Sequence, residues 1–116
     1  MSKSLHDNIE VIESGYEYLL AYAAQGRDTD EGPGGSEARA TLTGMLEAAG
    51  NIATALGGDE SDFGPVVTED ARKAGAAIAL VLAQKKISSE LVDNLNASIH
   101  LRALLTDLFL LSETMS

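Results

Sequence analysis

Apolar residues recur along the first half of the chain in alternating steps of four and three. Leu5, Ile9, Ile12, Tyr16, Leu19 and Ala23 form one series, and Ala38, Leu42, Met45, Ala49, Ile52 and Leu56 form the next. Such spacing keeps one side of a helix apolar, so each segment predicts a helix that buries a stripe against its neighbours. Strand-like alternation is absent, and valine clusters only at Val66 and Val67. The pattern predicts an all-α fold, a compact antiparallel bundle of about four helices forming a single domain over 1–116.

Start and stop signals place the elements. Ser4 followed by Asp7 has capping-box spacing, and the first helix runs to Gln25 before Gly26, a natural left-handed C-terminal residue. Arg27 to Gly35 holds Pro33 among glycines and reads as a mobile linker. Ser36 is the expected cap of a second helix ending at Gly57 and Gly58. Gly44 and Gly50 inside it imply a bend or the close approach of another backbone, since each costs roughly 1 kcal/mol relative to alanine. A second acidic loop spans Gly57 to Val67, and Thr68 with Glu69 and Asp70 predicts the start of the third helix. The alanine and glycine run from Ala74 to Ala79 suits close helix packing, and Lys85 and Lys86 suit the negative C-terminal pole.

Ser88 or Ser89 is expected to cap a last helix that continues to about Ser112. Its apolar face changes partway. Leu91, Val92, Leu95 and Ile99 share one side, whereas Leu101, Leu104, Leu105, Leu108 and Leu111 line nearly the opposite one, with Phe109 and Leu110 widening it. A helix apolar around most of its circumference is surrounded, either as the central member of the bundle or as half of an interface with another chain.

Composition narrows the possibilities. A chain of 116 residues is long enough for one core. The lack of cysteine excludes disulfides, thiolate nucleophiles and thiolate metal sites, and fits a reducing compartment. The opening residues are polar rather than a secretory signal, and Arg102 and Asp107 interrupt a leucine stretch too short to span a bilayer, so a soluble, cytoplasmic protein is expected. With 18 acids against 8 bases and a formal charge of −10, the chain should repel phosphate backbones and anionic membranes and favour a basic partner.

The usual chemical constellations are missing, and no cofactor, metal or catalytic residue is expected. Di-iron bundles need Glu three residues before His, but Lys3 and Ala97 stand before His6 and His100. A calcium loop from Asp28 would put Gly32 and Arg39 at ligand positions, and one from Asp59 would put Phe63 there. Gly32-Pro33-Gly34-Gly35-Ser36 lacks the lysine of a nucleotide-binding loop. His100 shares a helical side with Asp93, Asn96 and Asp107, which suggests a phosphotransfer module, although its neighbours carry the wrong charge to receive phosphate.

What stands out instead is the arrangement of acids. Asp7, Glu10, Glu13 and Glu17 step by three, three and four along the first helix, with no lysine or arginine between Ser4 and Gly26. Like charges at that spacing cost a few tenths of a kcal/mol per pair, so local helix stability did not select them. Together with Asp28, Asp30 and Glu31 of the first loop and Asp59, Glu60 and Asp62 of the second, they form a candidate partner-binding surface for a basic protein groove.

A small, acidic, cysteine-free helical chain without an active site resembles the all-helical anti-CRISPR proteins encoded by phages. The resemblance covers the whole chain and implies a non-enzymatic inhibitor in the host bacterial cytoplasm. Such an inhibitor binds a CRISPR effector or its nuclease-helicase and blocks DNA recruitment or cleavage, without itself binding nucleic acid. Two other classes remain open: an adaptor that forms a homodimer through Leu101, Leu104, Leu105, Leu108 and Leu111, and a signalling module using His100.

Overall fold

A computed structural model of the chain describes residues 4–58 and 60–115. Five helices follow one another: α1 (Leu5–Ala23), α2 (Glu37–Leu56), α3 (Phe63–Leu82), α4 (Ser89–Ala97) and α5 (Ile99–Thr114), with no strand among the described residues. The all-α expectation holds with one helix more than the pattern predicts. The extra helix arises where the last segment breaks. Ser98 adopts an extended backbone (ψ 141°), ends α4, and accepts a hydrogen bond from the Leu101 N–H at 3.3 Å to cap α5. This break resolves the change of face: α4 packs on α1, and α5 packs on α3.

The caps divide between expected and unexpected. Ser4 caps α1 by accepting from the Asp7 N–H at 3.1 Å, Gly26 beyond its end has φ +67°, and Ser88 caps α4. Ser36 is in a helical conformation and makes no capping bond. Helix α3 begins at Phe63 rather than Thr68, with Ser61 Oγ accepting from the Gly64 N–H at 3.2 Å. Pro65 then falls in the first turn, where its missing N–H has no intrahelical partner to lose. Its presence therefore starts a helix instead of prolonging a loop.

Helices α1, α2 and α3 run up, down and up. Asn51 Nδ2 donates to Asn8 Oδ1 at 3.1 Å near one end of the α1–α2 pair. At mid-length a Cβ on Gly15 would lie 2.5 Å from Met45 Cγ, so glycine lets the helices approach there. Gly44 and Gly50, expected to mark a close approach, have only an ordinary contact and open space respectively. The core is continuous, built on Ile9, Ile12, Leu19 and Tyr22 of α1, Leu42, Met45 and Ile52 of α2, Ile78 of α3 and Leu101, Leu104 and Leu108 of α5. Leu105 is buried as well. These leucines of α5 serve the protein's own core and are not available as the homodimer face, although Phe109 and Leu110 remain outside. Ile99, grouped with the α4 face by its spacing, is 73% exposed because the break at Ser98 turns it outward.

The segment expected to be a mobile linker is tied down by side chains. Arg27 donates to the carbonyl oxygens of Thr29, Glu31 and Pro33, and its guanidinium lies over the Tyr22 ring. Its backbone N–H bonds to Ser89 Oγ, whose hydroxyl donates to the Tyr22 carbonyl. Arg39 of α2 donates to the carbonyls of Leu82, Gln84 and Lys85, and so occupies the negative end of α3 that Lys85 and Lys86 were expected to serve. No helix is long and apolar enough to cross a membrane among the described residues.

Candidate functional site

The acids of α1 follow from its helical geometry. Ile9, Ile12, Leu19 and Tyr22 turn inward, and at about 100° per residue Glu10 and Glu17 fall on the opposite side. Asp7, Glu10 and Glu17 are exposed, while Glu13 is half-buried at the margin. Asp7, Glu10, Val11 and Ser14 line a shallow groove of about 420 Å³. The stripe's one ion pair among the described residues joins His6 Nε2 to Glu10 Oε2 at 3.8 Å, with both side chains exposed. An exposed pair of that length neutralises little. The outer face of α1 thus presents carboxylates without lysine or arginine partners among the described residues.

The loop acids divide differently. Asp30 is not available to a partner: its side chain is 11% exposed, Oδ1 accepts from the Ile87 N–H at 3.0 Å and Oδ2 from Arg39 Nε at 2.8 Å. Burial alone would raise its carboxyl, but hydrogen bonds from Ile87, from its own backbone and from Arg39 outweigh this and hold it below the ordinary aspartate range. Asp28, Glu31, Glu60 and Asp62 are exposed, and Asp59 lies outside the described residues.

The three acidic groups do not merge into one surface. Because α2 runs antiparallel to both neighbours and its 20 residues span about 30 Å, the loops at its two ends are separated by the length of the molecule, whose long dimension is 45 Å. Asp28 and Glu31 share their end with Arg27, Arg39, Lys85 and Lys86. Glu60 and Asp62 share theirs with the start of α1, including Asp7 and Glu10, and with Glu113 at the end of α5. Among the described residues, Arg27, Arg39, Lys85 and Lys86 therefore gather at one end, while Asp7, Glu10, Glu60, Asp62 and Glu113 at the other end have no lysine or arginine partner.

The His100 constellation is not assembled. His100 and Asp93 are exposed on different helices, Asn96 is buried with its Nδ2 donating to the Leu19 carbonyl at 3.1 Å, and Asp107 is buried against α3. There Asp107 faces Asp70. Burial first, and the hydrogen bond and charge of the Asp70 carboxyl second, push Asp107 up to about 7. Its Oδ2 has no hydrogen-bond partner. The signal for this pair was a charged residue enclosed by Leu104, Leu105 and Leu108. No group of three or more histidines, aspartates or glutamates is placed to hold a metal ion among the described residues.

The chain matches no protein-family model, no curated protein and no solved structure. Its surface is therefore read from its own geometry. Apart from the stripe, that geometry contains an apolar cleft which spacing alone did not reveal, between the start of α3 and the end of α5, lined by Ser61, Phe63, Leu110, Leu111 and Thr114.

Proposed function

We propose that the protein is a non-enzymatic, stoichiometric inhibitor that lays the outer face of α1 into a basic groove of a nucleic-acid-handling protein. A CRISPR effector or its recruited nuclease-helicase is the target class, with loss of DNA recruitment or cleavage as the result. The observation that carries this reading is the exposed row Asp7, Glu10 and Glu17, with Glu13 at its margin, which has no lysine or arginine partner among the described residues and lies on the face turned away from the core. From Asp7 to Glu17 the helix rises about 15 Å, so four carboxylates lie at intervals of about 5 Å. A single DNA strand presents one phosphate per roughly 3.4 Å, a comparable line of charge. Arg27 and Arg39 are spent on backbone carbonyls at the far end of the bundle and do not offset it.

The test is inhibition of DNA loading and cleavage by purified CRISPR effectors and their nuclease-helicase, comparing the wild-type chain with the Glu10→Lys/Glu17→Lys double variant. Both positions are exposed, and the reversal relieves repulsion within α1, so the variant should melt no lower than wild type. Inhibition is expected from the wild type and should be lost in the variant. Equal inhibition by both would remove the acidic face from the mechanism, and a wild type that inhibits none of these enzymes would remove the target class.

A further inference from the structure

Exposed large apolar side chains gather toward the two ends of the bundle, and one of these ends also carries an apolar cleft. Of the seven that are exposed among the described residues, Val66 lies in the first turn of α3, and Phe109, Leu110 and Met115 lie at or just beyond the end of α5. Because α5 runs antiparallel to α3, these ends meet around the cleft formed by Ser61, Phe63, Leu110, Leu111 and Thr114, whose volume is about 370 Å³. A concave apolar site that includes the exposed Leu110 marks a place where another molecule removes surface from water.

Charge decides which molecule. Glu60 and Asp62 flank Ser61 and Phe63 in the chain, and Glu113 precedes Thr114, all three exposed. Among the described residues no lysine or arginine lines the cleft, and the first bases of α3, Arg72 and Lys73, lie about 14 to 15 Å along the helix from Phe63. A second copy docking by this end would set acid against acid around the apolar contact, and an anionic membrane would be repelled in the same way. A segment with apolar residues on one face and lysine or arginine beside them satisfies both the cleft and its rim. We propose that the α3–α5 cleft is a docking site for a basic amphipathic helix of a partner protein, which inserts an apolar side chain between Phe63 and Leu110 while its cations meet Glu60, Asp62 and Glu113. This site is separate from the outer face of α1 and stands independently of the role proposed for that face.

A synthetic leucine–lysine peptide patterned as an amphipathic helix is the probe, added to the full chain at physiological salt and followed by isothermal calorimetry and amide chemical shifts. One peptide should bind per chain, with shifts centred on Phe63, Leu110, Leu111 and Thr114. The same peptide with glutamate in place of lysine should not bind. Leu110→Ser should weaken binding about tenfold or more, as expected for an anchor residue, without lowering the melting temperature, because Leu110 is 55% exposed. The Glu10→Lys/Glu17→Lys variant should bind as wild type, which separates this cleft from the α1 face. Undiminished binding to Leu110→Ser, shifts centred on α1, or equal binding of the glutamate peptide would each overturn the proposal. So would self-association of the chain that competes with the peptide, since it would assign the cleft to a second copy.

Discussion

Single glycines in this protein have opposite consequences according to what lies beside them. A Cβ at Gly15 would sit 2.5 Å from Met45 Cγ and 2.6 Å from its Sδ, with Met45 fully enclosed, whereas a Cβ at Gly50 meets nothing within 4 Å. Alanine gains roughly 1 kcal/mol over glycine inside a helix, and overpacking a tight core costs about 1 to 3 kcal/mol. Gly50→Ala should therefore raise stability by about 0.5 to 1 kcal/mol, and Gly15→Ala should lower it, as read by urea denaturation of the two variants. The same sign for both would show that the α1–α2 contact adapts more readily than its geometry implies. The apolar spacing passes over Gly15 in favour of Tyr16, and only the position of Met45 reveals that position 15 faces inward and why a side chain is excluded there.

Between elements, the α3–α5 contact encloses a titrating carboxyl, that of Asp107. The Asp107 carboxyl is held at about 7 against an ordinary value of 3.8, first by burial and then by Asp70. The folded state therefore retains a proton that the unfolded chain releases, and stability falls as pH rises from about 4 to about 7, with the full cost present above that range. The interval between 3.8 and about 7 sets an upper bound of about 4 kcal/mol. Asp107→Asn should raise the melting temperature most at pH 8 and change it little at pH 4. A pH-independent difference between variant and wild type would mean that Asp107 is ionised in the fold at neutral pH. The same contact shows what local spacing leaves out: the pattern runs one helix through position 98, where Ser98 instead caps α5, and the meeting of Asp107 with Asp70 depends on α5 folding back along α3.

For the whole molecule, the important property is the separation of charge along the bundle. Arg27 and Arg39 fasten the first loop and the end of α3, so cations collect at that end, while the start of α1, the second loop and the end of α5 carry exposed acids. Any complex made through the α1 face should weaken markedly as salt rises from low to physiological strength, because the screening length falls from about 30 Å at 0.01 M to about 8 Å at 0.15 M. The Glu10→Lys/Glu17→Lys variant should show a shallower salt dependence in titrations of the same partner. Salt-independent binding by the wild type would place the interface on apolar surface instead. The candidate site was thus only partly legible in sequence. The row on α1 is a helical periodicity, but the spending of Asp30 on the internal frame follows from contacts with Arg39 and with Ile87, 57 positions away.

The sequence by itself determined the helical class, the inward stripes of α1 and α2, and the caps at Ser4 and Ser88, because these depend on residues within about four positions of one another. It also determined that α1 would carry its acids together. Tertiary structure decided the rest. It chose which leucines of α5 are core and left Phe109 and Leu110 outside, converted the glycine-rich linker into a frame held by Arg27, and drew Asp30 inward while Asp7, Glu10 and Glu17 stayed exposed. It also set the two acidic loops at opposite ends of α2. Those outcomes depend on hydrogen bonds and packing between residues far apart in the chain, and local spacing does not encode which distant group will arrive to complete them.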